Sequence, residues 1–253
     1  MITDPWFYAV AIPAVLLFGI SKGGFGGGLG VVAVPLMALV ISPVRAAAIL
    51  LPILCVMDLV ALWKFRGKWV WPELRILLPA SLVGILVGTL LFEFMSASIV
   101  RLIVGVVAII FTLHFWVNKQ RANSAGLPDY PQFYGLFGAS VAGFTSFIAH
   151  AGGPPISMYL LRRPLDRTDF AATAIVFFAV VNYVKLVPYA WLGQFDSDNL
   201  ATSAALVILA PIGVLIGAWL HRRVTDRFFF GFVYVLLFAI GLKLIYDGVG
   251  GFI

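Results

Sequence analysis

Lys22, Asp58, His150 and Lys185 are charged or titratable groups set within strongly apolar sequence, and two of them lie in glycine-crowded runs. The first run, Gly19-Ile-Ser-Lys-Gly-Gly-Phe-Gly-Gly-Gly-Leu-Gly30, places Ser21 and Lys22 among seven glycines. Glycine lets backbone N–H groups crowd around an anion, and a half-helix starting at such a break adds its positive end. Lys22 adds a full charge. Ser21, Lys22, Gly23, Gly24, Gly26, Gly27 and Gly28 are therefore candidates for binding a small anion. The competing reading is that Lys22 snorkels to an interface while the glycines permit close packing.

The second run, Gly143-Phe-Thr-Ser-Phe-Ile-Ala-His-Ala-Gly-Gly-Pro-Pro155, offers Thr145, Ser146, His150, Gly152 and Gly153 to the same task. Proline and glycine together free backbone groups there, and the hydroxyls can donate to an anion. His150 could contact substrate or titrate near neutral pH, and it could equally be a buried structural histidine. No second His, Cys or carboxylate stands at ligand spacing, so neither a metal nor another cofactor is expected. Ser146 and His150 share a helical spacing but lack a nearby orienting acid, which argues against a hydrolytic triad and any catalytic residue. Asp58 is an isolated acid within an apolar segment, and Asn182 and Lys185 occupy the corresponding region of the second half. Intramembrane ionisable residues mark ion pairs or proton paths. An Asp58 pair with Lys22, a pair with Lys185, and a proton-coupling role for Asp58 or His150 all remain open.

Composition says what must position these groups. The chain is 62% hydrophobic and 11% charged, with a mean hydropathy of +1.05, far from the roughly 25% charged content of a soluble domain. It reads as an all-α polytopic membrane protein, with apolar stretches near the ~20 residues a bilayer-spanning helix requires. The net charge of +6 comes from cations between the apolar stretches, where the positive-inside rule puts them, so nucleic acid is not an expected partner. Cys55, the single cysteine, excludes an intrachain disulfide. The first apolar segment lacks the basic lead and small-residue cleavage site of a secretory signal, and is expected to stay in the mature protein.

Full spans are expected at about 46–64, 73–92, 97–117, 169–191, 198–220 and 227–246. The glycine regions, about 6–42 and 132–161, are each too short for two full spans and are split by their breaks. Four cation clusters choose their topology: Lys64 to Arg75, Lys119 with Arg121, Arg162 to Arg167, and Arg222 to Arg227. All four become cytoplasmic only if each glycine region enters and leaves on one side. Each half is then a re-entrant hairpin followed by three spans, an odd number of crossings, and the halves are inverted repeats. The glycine runs align at a spacing of about 124. Residues 1–121 form the first repeat, and 122–253 hold the linker and the second. Gly84 with Gly88 and Gly213 with Gly217 have the spacing of close helix contacts, either inside one chain or across a homodimer face. Trp63, Trp69, Trp71, Tyr189 and Trp191 are expected in interfacial belts.

Ser21-Lys-Gly-Gly-Phe-Gly-Gly-Gly-Leu-Gly30 with Val34-Pro35, and His150-Ala-Gly-Gly-Pro-Pro155 with Ser157 and Tyr159, give the chain its likeness to known proteins. Over essentially its whole length it resembles the TauE/SafE sulfite exporter family of bacterial membrane proteins. The resemblance implies a multi-pass transporter of the inner membrane. It further implies proton-coupled secondary transport of sulfite, sulfoacetate or related organosulfonates. An anion channel would use the same features, and a membrane-embedded enzyme is the third reading.

Overall fold

The computed structural model describes residues 1–24, 30–92, 94–119, 131–220 and 226–251, and among these every regular element is helical. The first glycine region gives α1, Pro5–Gly24, then a 3-10 turn, Gly30–Val32, and α2, Ala33–Met37. Three long helices follow: α3 Pro43–Lys64, α4 Trp71–Phe92 and α5 Ala97–Lys119. The second half repeats the order with α6 Gln132–Ala149, α7 Gly153–Leu160, α8 Arg167–Trp191, α9 Ser197–Leu206, α10 Leu209–Leu220 and α11 Asp226–Gly250. Five of these are individually long and apolar enough to cross a membrane, and α9 with α10 makes a sixth, bent by 42°.

Local chemistry sets these boundaries. Ser42 caps α3 by accepting from the Arg45 backbone N–H at 3.2 Å, and Pro43 opens the helix where its missing N–H costs nothing. Asp166 caps α8, accepting from Thr168 and Asp169. Asp196 caps α9 by accepting from Asn199 at 2.7 Å. The expected continuous span over 198–220 is instead broken between α9 and α10. Pro211 is the reason, because its ring excludes the bond to Val207 four residues back.

The two glycine regions are hairpins with unequal arms. Where sequence suggested short pieces on both sides of each break, the first arm is a helix of 20 residues in one case and 18 in the other, and only the returning arm is short. The chain comes back to the end at which it entered. Ile2 donates to Thr202, and on the way out Arg45 donates to Asn199 at 2.9 Å, so both ends of the first hairpin meet the start of α9. At the opposite end of the bundle Gly135, near the start of α6, packs on the ring of Tyr159, near the end of α7. There, too, Val70 donates to Thr173 and Arg163 pairs with Glu73, which brings 64–75 beside 160–173.

Helix pairing follows the small residues. In α4, Gly84 faces the backbone of Ser140 and Gly88 the ring of Phe147, both on α6, while Gly143 of α6 faces Ser81. In α1, Gly19, Gly23 and Gly24 meet the backbone of α10 at Gly213, Val214 and Gly217. Side chains at these positions would collide with main chain, or at Gly88 with the Phe147 ring, so the small-residue spacing is spent on packing inside the chain. Helices α3 and α8 cross at the centre, and α5 packs on α11 through Gly105 and Gly241. The opposite faces carry exposed Leu82, Val83, Leu86 and Leu90, as a lipid-facing helix requires.

Candidate functional site

Both hairpin tips end against α3 and α8, and the groups singled out from sequence divide there into two clusters. In the first, Lys22 at the C-terminal end of α1 places its Nζ 2.5 Å from Asp58 Oδ1, with side-chain exposures of 2% and 0%. Asn182 of α8 donates its Nδ2 to Asp58 Oδ2 at 2.8 Å. The Lys22 ammonium also lies 5.9 Å from the Phe18 ring centroid, within cation–π range. Of the two lysines able to neutralise Asp58, Lys22 makes the contact.

The second cluster surrounds Lys185. Its Nζ lies 2.9 Å from the carbonyl oxygen of Ser146, 3.0 Å from Ser146 Oγ and 2.7 Å from His150 Nδ1. The other imidazole nitrogen, Nε2, donates to the Ala47 carbonyl at 2.9 Å, because a carbonyl can only accept. That bond fixes the tautomer of a neutral imidazole, leaving Nδ1 as acceptor for Lys185. His150 holds a left-handed backbone, φ 52°, the one non-glycine residue among those described with positive φ. This conformation ends α6: the His150 and Ala151 N–H groups return to the Ser146 and Thr145 carbonyls. It also swings the imidazole out of the helix toward α3 and α8. A left-handed residue is a common way to end a helix, and here it sets the direction of the imidazole.

The clusters border one buried cleft, lined by Phe18, Lys22, Leu54, Ser146, His150, Gly153, Phe178 and Asn182 and holding space for about one water molecule. Leu54 lies midway along α3. The cleft therefore unites Lys22, Ser146, His150, Gly153 and Asn182, with Asp58 and Lys185 directly behind them. Other candidates face elsewhere. Gly23 and Gly24 pack on α10, and Gly152 is wedged against Ala142, Phe178 and Ser146. Ser21 is buried, and the Thr145 hydroxyl is turned to the Val141 and Ala151 carbonyls, tying the break together. Gly26, Gly27 and Gly28 lie outside the described residues. The expected run of N–H donors at α7 is thin, since Pro154 and Pro155 occupy its first turn.

Sequence reasoning missed three features. Phe18, Leu54 and Phe178 supply the apolar wall and carry no signal beyond hydrophobicity. Glu73 joins Tyr159, whose hydroxyl donates at 2.9 Å, to Arg163 at 2.7 Å; the lone acid in the 64–75 basic cluster was the available clue. Tyr189, expected in an interfacial belt, is buried and donates to the Phe147 carbonyl at 2.6 Å. Trp63, Trp71 and Trp191 do stay exposed.

The family described as Sulfite exporter TauE/SafE matches residues 11–244. The "Probable sulfite/organosulfonate exporter TauE" of Cupriavidus necator is 27% identical over 147 residues, 54% of this chain and 55% of the relative. The match thus spans about half the length of that curated relative. No solved structure matches the chain. With a family match that begins within α1, ends within α11 and includes both glycine-rich breaks, the chain belongs to the TauE/SafE sulfite exporter family.

Proposed function

We propose that the chain is a secondary transporter exporting small sulfur-containing anions, sulfite and organosulfonates, across the bacterial inner membrane. One observation carries the reading: Lys22 of the first glycine-rich break and Ser146 and His150 of the second line a single buried cleft, with Asp58 and Lys185 directly behind it. In a membrane protein, buried charge is costly and is retained where it serves a path for ions or substrate. The anion sits at the helix breaks near the bilayer midplane, against Lys22, Ser146 and His150, and proton movement through His150, Lys185 or Asp58 drives it. No catalytic step enters this mechanism.

The halves, 1–121 and 122–253, act as inverted repeats that rock about this site. Helix pairing supports that: α1 packs on α10 as α6 packs on α4, while α3 meets α8 and α5 meets α11. Exchanging the halves leaves this set of partners unchanged. The end bearing 64–75 and 160–173 is the cytoplasmic one, by its cations.

Purified protein in liposomes loaded with sulfite or methanesulfonate tests the reading. Saturable efflux that responds to an imposed gradient is expected. Non-saturating flux would identify a channel, and absence of flux with every sulfur anion would remove the assignment.

A further inference from the structure

Hydrogen-bond counting limits the charge that the cleft can neutralise. Asp58 pairs with the Lys22 ammonium through Oδ1 and accepts the Asn182 amide on Oδ2, an arrangement that an ionised carboxylate satisfies. Its charge cancels that of Lys22. The second pair obeys a different constraint. His150 Nε2 carries a hydrogen, because it faces the Ala47 carbonyl, and Nδ1 meets Lys185 Nζ at 2.7 Å. Two nitrogens at that distance share one hydrogen between them. An imidazolium opposite an ammonium would set N–H against N–H, so the pair holds at most one positive charge, whichever nitrogen keeps the proton. Lys22, Asp58, His150 and Lys185 together therefore sum to no more than one positive charge. Glu73, the other charged side chain among the buried described residues, is engaged by Arg163 and Tyr159 away from the cleft.

The walls add a second constraint. Phe18, Leu54 and Phe178 give the lining apolar surface, and Lys22, Ser146, His150 and Asn182 give it polar groups. A molecule with a charged head and an apolar substituent would meet both once the cleft, which here holds about one water molecule, widens to admit it.

We infer that the cleft takes its cargo as a singly charged organic anion, a sulfonate R–SO3⁻ with an apolar R, in preference to dianions such as thiosulfate, sulfate or sulfoacetate. The inference rests on the transport reading above and narrows it. A monoanion makes the occupied cleft neutral. A dianion leaves one negative charge buried without a partner, a state that proteins avoid by excluding the ion or recruiting a proton.

Ethanesulfonate and sulfoacetate separate charge from size, since a methyl replaces a carboxylate on the same sulfonate frame. Thermal-shift titrations of the purified wild-type protein at fixed ionic strength, paired with liposome efflux, should rank ethanesulfonate and methanesulfonate above sulfoacetate, thiosulfate and sulfate by about tenfold or more in apparent Kd. Asp58→Asn raises the charge limit by one and should move the ethanesulfonate-to-sulfoacetate ratio about tenfold toward sulfoacetate. If that variant does not fold, the wild-type series decides alone. Equal or tighter binding of the dianions by the wild type would overturn the charge limit and leave sulfur-anion transport standing. Neither binding nor flux with any of the five anions would reject the transport reading and the charge limit with it.

Discussion

Asp58 and Asn182 stand 124 residues apart and hydrogen-bond to each other at 2.8 Å where α3 crosses α8. The same separation relates Gly19 to Gly143 and Lys22 to Ser146, the matching positions of the two glycine-rich runs. The proposed inverted repeat would bring such counterparts together at its axis. In the first half that position is an acid paired with a hairpin lysine. In the second it is an amide, and Lys185, one turn further along α8, meets Ser146 and His150.

The proposed topology can be read by labelling. On a Cys55→Ala background, Arg66→Cys and Arg162→Cys should react only with reagent that reaches the cytoplasm, and Gln194→Cys only with reagent outside. Labelling of 66 and 194 from the same side would defeat the two-hairpin arrangement.

Breaking the Lys22–Asp58 pair from one side strands a buried charge. Lys22→Met should lower stability by about 3–5 kcal/mol, the range for a severed buried ion pair. Adding Asp58→Leu should return most of that loss while leaving transport abolished. Detergent unfolding and efflux assays report the two quantities separately, and full transport by the double variant would take Lys22 out of the site.

Gly84 and Gly23 serve helix contact. A methyl group at Gly84 would strike the Ser140 carbonyl, and one at Gly23 the Val214 carbonyl. Each alanine should cost about 1–3 kcal/mol by overpacking, read as a lowered melting temperature. Gly193→Ala, at an exposed turn with φ 67° and open space around it, should cost less than either. An unchanged melting temperature for Gly84→Ala would contradict the close α4–α6 contact.

His150 is proposed to couple anion movement to protons. Efflux should rise when an imposed pH gradient supplies protons for exchange, and His150→Gln should flatten that response more than it weakens anion binding. Wild-type flux that saturates with substrate but ignores the gradient would assign both His150 and Lys185 a purely binding role.

Glu73 holds the returning arm of the second hairpin through Tyr159 and Arg163. Glu73→Gln removes the charge that Arg163 answers, and amide exchange across 153–163 should quicken relative to α3. Unaltered exchange there would show that packing alone retains α7.

Much of this protein was legible before folding. Apolar length set six long segments, and five of them formed continuous helices with boundaries within a few residues, the sixth, 198–220, being broken between α9 and α10; a bilayer-spanning helix satisfies its backbone internally and needs little from its neighbours. The breaks were legible as well, since glycine and proline act locally. The close contacts of Gly84 and Gly217 were legible from their spacing.

What one dimension withheld was partnership. Sequence could place Asp58, Lys22 and Lys185 in apolar segments, yet could not say which lysine meets the acid, because that depends on how α1, α3 and α8 rotate about their axes in the packed bundle. It could not separate glycines that approach an anion from glycines that approach a helix; a colliding carbonyl from α10 makes that distinction for Gly23 and Gly24. The left-handed turn at His150 and the apolar wall of Phe18, Leu54 and Phe178 likewise exist only once the second hairpin is seated between α3 and α8. Composition and period determined the helices and where they break. Tertiary packing alone decided which charges meet at those breaks, since a contact between residues 124 apart is a property of the assembled bundle.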